Sequence, residues 1–127
     1  MIYFKGIKMN ELRIDIFNIV GQKDCTLPED GDKVFNSLKR ALEENKKIII
    51  SFQNVEKLTT AFLNNAIGKL YKDFDEEKIK QSLSLENITQ SAKVRLKRVV
   101  TNAKNFYKNP DKMRESIKEI LGEEDEQ

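Results

Sequence analysis

Two adjacent hydroxyls, Thr59 and Thr60, stand just after the most apolar stretch of the chain and open a run of apolar residues at helical spacing. A hydroxyl at a helix start accepts a hydrogen bond from a free backbone N–H and caps the helix. A second chemistry is open at the same place. A phosphate carried there is held by unpaired N–H groups and the positive end of the helix dipole. One Thr suffices as the cap, so the other is a candidate phosphoacceptor, and the residues leave open which is which. Asn54, Asn64 and Asn65 flank the pair with side-chain amides that both donate and accept.

The side chains that usually carry catalysis are sparse. The chain has no His, which removes the commonest general base and metal ligand together. Its single Cys, Cys25, forms no internal disulfide or thiolate cage and reads as a small buried hydrophobe. Carboxylates number 21, and the cluster Asp73, Asp75, Glu76 and Glu77 reads as a solvated helix end. The five glycines are isolated, without the spacing of a nucleotide-binding loop. No catalytic residue, no metal site and no cofactor is expected.

A second candidate surface is electrostatic. No acidic residue occurs between Glu86 and Asp111, whereas Lys93, Arg95, Lys97, Arg98, Lys104 and Lys108 all do. On a helix, Lys93, Lys97, Lys104 and Lys108 fall close to one face. Such a face is either simply solvated or meets nucleic-acid phosphates or an acidic protein. Phe106 and Tyr107 belong to the apolar stripe, so stacking on single strands is poorly supported.

These residues need elements to hold them. At 127 residues, 39% hydrophobic and 35% charged, the chain is one domain with a modest core, and its net charge of +2 favours neither nucleic acid nor membrane. No signal-peptide core and no apolar run of about 20 residues is present, so a cytoplasmic location without a membrane partner is expected. Alternation from Leu12 to Ile16 predicts a strand continuing towards Val20. Residues 25–31 read as a turn, with Asp32 capping a helix to about Asn45. Ile48-Ile49-Ile50-Ser51-Phe52 predicts a central strand covered on both faces. A helix from Thr59 or Thr60 to Phe74 contains Gly68, which a close approach to a neighbouring element would explain. Ile79 to Leu85 alternates as another strand, Thr89 caps a third helix, and Asn109-Pro110 stops it before a last helix over 111–121. Alternating elements of this kind predict an α/β protein: a mixed sheet of about four strands with helices mainly on one face. Ile49, Phe52, Phe62, Ile67, Leu96 and Val100 are the expected core.

The segment Ile48-Ile49-Ile50-Ser51-Phe52-Gln53-Asn54-Val55, then Leu58-Thr59-Thr60-Ala61-Phe62-Leu63-Asn64-Asn65-Ala66-Ile67-Gly68-Lys69-Leu70, resembles the STAS-like domain family of unknown function. That family is related to the STAS domain of bacterial anti-sigma factor antagonists. Leu83-Ser84-Leu85-Glu86-Asn87-Ile88 fits the same pattern, and the likeness spans about Leu12 to Tyr107. Ser51 stands where many relatives have a strand-end acid, and Thr59-Thr60 stands in place of the antagonists' Asp-Ser pair. The resemblance implies a non-catalytic regulatory domain whose helix start, with Asn54, Thr59, Thr60, Asn64 and Asn65, docks a protein partner; in related domains this is often an ATP-binding regulator. The expected division is a leader or short extra strand over 1–9, one STAS-like domain over 10–121 and an acidic disordered tail over 122–127. Both Met1 and Met9 are candidate starts. A nucleic-acid-associated protein using the helix over 93–108 is the alternative.

Overall fold

The structure, a computed structural model, describes residues 3–4, 7–8, 10–108 and 120. The expected last helix (111–119 and 121), the acidic tail and the choice between Met1 and Met9 lie outside those residues.

Three parallel strands make the main sheet: β3 (Glu11–Asp15), β5 (Lys47–Ser51) and β7 (Leu83–Glu86), in the order β3-β5-β7. Ile50 sits opposite Ile14 on one side and Leu85 on the other. Two smaller sheets accompany it. β1 (Tyr3–Phe4) and β2 (Ile7–Lys8) pair antiparallel where one leading strand was expected. β4 (Asp24–Cys25) and β6 (Lys57–Leu58) pair in parallel.

The strand order runs one way, so right-handed crossovers place every connecting helix on the same face. The residues agree. Ile14, Ile48 and Ile50 point into the core, while Arg13, Ile49 and Ser84 point to the other face. Ile49 is therefore only half-buried, not core as expected. The helical layer holds α2 (Pro28–Glu43) and α6 (Gln90–Lys108). Between them runs one interrupted helix: α3 (Thr60–Leu63), a π turn (Asn64–Gly68) and α4 (Leu70–Asp73). Phe52, Phe62, Ile67 and Leu96 are buried as expected, whereas Val100 is half-buried and Val99 takes the inner position.

Three local expectations are corrected. The first strand stops at Asp15, and α1 (Ile16–Val20) follows it. Ile16, Ile19 and Val20 are spaced for a helix as well as for a strand. The second helix begins at Pro28, not after an Asp32 cap, because proline fits the first helical turn, where its missing N–H costs nothing. Residues before β7 form α5 (Glu76–Ser82), whose acidic first turn suits a helix N-terminus and whose Ile79 is buried.

Candidate functional site

The candidate surface is built where β4 and β6, side by side, each run into a helix. Cys25 pairs with Leu58, and the Thr59 N–H donates to the Cys25 carbonyl at 3.2 Å. The Thr59 hydroxyl then has two uses. Its Oγ1 accepts from the Phe62 N–H at 3.2 Å, which makes it the cap of α3, and it donates to the Thr26 carbonyl at 2.8 Å. Thr60, Ala61 and Asn64 are exposed, while Phe62 and Leu63 anchor the same turns in the core. The two hydroxyls are thereby separated: Thr59 is structural and Thr60 is presented.

Asn65 does not face out beside the cap. It is half-buried, and its amide donates to the Pro28 carbonyl at 3.3 Å and to Asp32 Oδ1 at 3.1 Å. Lys69 reaches the same carboxylate at 2.7 Å. Asn54 is exposed in the turn after β5 with φ of 68°, a left-handed conformation that Asn tolerates better than most residues. The chain continues through Val55, whose N–H returns to the Phe52 carbonyl at 3.1 Å.

Two glycines hold the layers together, and the more demanding one is Gly31. A Cβ on Gly31 would stand 2.5 Å from the Phe62 carbonyl oxygen, so α2 and α3 approach as they do only because that atom is missing. Gly68 faces Val99 and Ala103 of α6, in line with the expected close approach, but a Cβ there would meet ordinary contacts of 3.5–3.7 Å.

At the carboxyl ends of the parallel strands, a buried hydroxyl gathers three donors. Ser51 Oγ lies 3.2 Å from Arg13 Nη2, 3.3 Å from Asn87 Nδ2 and 3.3 Å from the Gln53 N–H. Arg13 also holds Glu86 at 2.8 Å. This lattice ties β3, β5 and the turn after β7 to the loop leading into the site. Arg95 of α6 fastens the same loop from the helical side by donating to the Leu58 carbonyl.

The sequence reading missed Leu27 and Arg95. Leu27 is 49% exposed at the N-cap of α2, two residues after β4. A large apolar residue inside a polar turn was the available signal. Arg95 lies within the basic run, but its periodicity sets it apart from the four lysines.

Those lysines, Lys93, Lys97, Lys104 and Lys108, are exposed, and Lys104 is paired with Glu76 at 3.1 Å. The acidic cluster is likewise solvated and partly paired, with Asp73 3.6 Å from Lys39. Cys25 is fully buried, and burial first, then the nearby Asp30 and Asp24, push its thiol from 9.0 to about 11. No group of three potential metal ligands occurs among the described residues, and no helix among them is long and apolar enough to cross a membrane.

A parallel sheet with its helices on one face, and a capped helix start where β6 runs into α3, define an α/β domain. The model of the STAS-like domain of unknown function (DUF4325) matches residues 30–93, and the chain belongs to that family. No curated protein and no solved structure matches the chain.

Proposed function

We propose that this STAS-like domain is a non-catalytic regulatory module that binds a protein partner through the loop and helix start over residues 53–65, with Thr60 at the centre. The observation that supports this reading is the division of labour between the two hydroxyls. Thr59 is consumed by the cap and the Thr26 carbonyl, while Thr60 stands exposed on a turn anchored by Phe62 and Leu63. Ordered backbone with a presented side chain lowers the entropy lost on docking. Exposed Leu27 at the N-cap of α2 is the candidate apolar contact, and Asn54 and Asn64 are the candidate polar ones. Thr60 is also the residue at which phosphate would regulate docking, since phosphate on Thr59 would destroy the cap. An ATP-binding regulator is the partner class that the resemblance suggests.

The test compares wild type with Thr60→Arg and Leu27→Asp in quantitative affinity purification from the native host. The expected outcome is one protein depleted by both variants while the melting temperature stays unchanged. Equal recovery with all three forms would place the surface elsewhere. Absence of phosphate on Thr60 in native cells removes the switch and leaves docking standing.

A further inference from the structure

We propose that the chain beyond α6 folds back along that helix as an arm, seating the apolar stripe of residues 111–121 in the trough that α4 and α5 form with α6, and setting the acids of residues 123–126 against Lys93 and Lys97. The inference is independent of the docking surface around Thr60.

The trough is made of two adjoining hollows, of about 400 Å³ and about 550 Å³, which share Tyr71, Glu76 and Lys104. Ile50, Ile67, Ile79, Leu85 and Val100 line the smaller one. Leu85 is left 40% exposed there, and Val100 is half-buried. The larger hollow runs past Phe74 and Tyr107 to Lys108, where α6 ends. A groove of this kind takes the apolar side of an amphipathic helix. Glu76 and Lys104, 3.1 Å apart, meet where the hollows join, and both are exposed, so the pair parts at little cost.

The sequence supplies the occupant. Pro110 disfavours helix at Asn109, so α6 stops at the open end of the trough. A connection this short makes a following helix the antiparallel neighbour of α6. Met113, Ile117, Ile120 and Leu121 recur at helical spacing and form one stripe. Ile120, its described member, is 81% exposed, a large apolar side chain still without a cover. Reach agrees. Met113 to Leu121 is about 12 Å of helix, and an antiparallel return of that length from Tyr107 ends near the level of Val100.

Charge orients the arm. Lys93, Lys97, Val100 and Lys104 recur at alternating steps of four and three residues, so they make one strip of α6. Val100 and Lys104 line the trough, and Lys97 and Lys93 carry the strip on towards the helix start. Both lysines are exposed, and neither has an ionic partner among the described residues. In the returning arm, Glu123, Glu124, Asp125 and Glu126 come next after the stripe, at the level of those two lysines. An arm in this place also withholds Lys93 and Lys97 from nucleic-acid phosphates.

The experiment is zero-length carbodiimide cross-linking of the full chain, which joins an amine to a carboxylate only where the two touch. Mass spectrometry of mixed isotopically light and heavy chains then separates links within a chain from links between chains. Lys93 and Lys97 should link to the peptide carrying Glu123 to Glu126 within one chain, about tenfold more than Lys33 on α2 does, because seating raises the local concentration of the acids. Ile117→Asp combined with Ile120→Asp should lower those links to the Lys33 level while hydrogen exchange of β5 stays slow. Leu85→Asp, on the other side of the contact, should do the same, and the isoleucine pair decides if that variant does not fold. Links no more frequent than those of Lys33 would overturn the proposal. So would links that survive the isoleucine substitutions, or links found only between light and heavy chains, which would seat the arm on a second copy.

Discussion

Thr59 and Thr60 are neighbours in sequence and opposites in environment, so the same substitution should give different results. Thr59→Ala removes the cap and the bond to the Thr26 carbonyl, and should cost about 0.5–2 kcal/mol. Thr60→Ala should leave stability within about 0.5 kcal/mol, as surface changes do. Thermal melts of the two variants read the difference. Cys25 makes a pH prediction. Its folded pKa is raised above the unfolded value, so the stability it contributes is complete below about pH 9 and is lost as pH rises towards 11. Denaturant midpoints of wild type should therefore fall across that window more than those of Cys25→Ala, and native protein should resist thiol reagents at pH 8 until it unfolds. The identity of the capping Thr was not legible in the sequence. It depends on the Thr26 carbonyl, 33 positions away, which only the β4–β6 pairing brings near.

At the scale of elements, the packing of α2 on α3 hinges on one absent methyl group. Gly31→Ala forces a contact of 2.5 Å against a backbone oxygen and should destabilise by about 1–3 kcal/mol, as overpacking does. Gly68→Ala meets only ordinary contacts and should be close to neutral. Chemical denaturation of both variants checks the ranking, which reverses the emphasis that sequence reading gives to a mid-helix glycine. The alternations that run to Val20 and from Ile79 show a related difficulty. Ile16, Ile19 and Val20, like Ile79 and Leu83, satisfy helical spacing as readily as part of an alternation. Short apolar runs do not separate the two periods, and tertiary packing decides. β5 and α6 were legible because β-branched continuity in one and four turns of apolar periodicity in the other admit no second reading. Thr89 caps α6 as expected, accepting from the Ala92 N–H at 3.1 Å.

For the whole molecule, the α/β class followed from the order of elements, and helices on one face followed from strands laid down in one direction. Surface function was less legible, because it depends on which long-range partners occupy each polar side chain. Asn65 and Arg95 are spent inside the fold, whereas Thr60 and Leu27 are not. The core is small enough that Phe62→Ala, at a fully buried position, should cost about 3–5 kcal/mol. That is a large share of the roughly 5–15 kcal/mol that holds an ordinary domain folded, so the variant should melt far below wild type. The lysine surface makes the opposite prediction. Lys93→Glu, Lys97→Glu and Lys108→Glu combined should leave the melting temperature nearly unchanged, since all three are exposed. Retention of wild type on DNA or RNA at about 50 mM salt is the measurement for the nucleic-acid reading, and negligible retention is the expected result.

The π turn at Asn64–Gly68 closes through the Lys69 N–H and the Asn64 carbonyl at 3.0 Å, and so holds one residue more than an α-helical turn would. Its length is therefore a rotational setting. Removing one residue there would restore a continuous α-helix, and everything before it would turn by about 100° relative to everything after. With Ile67 and Leu70 kept in the core, Thr60 would leave the side of the helix start on which it now stands. Family members that differ by one residue in this segment should accordingly differ in which side of the helix start they show to a partner, even where every other residue is the same.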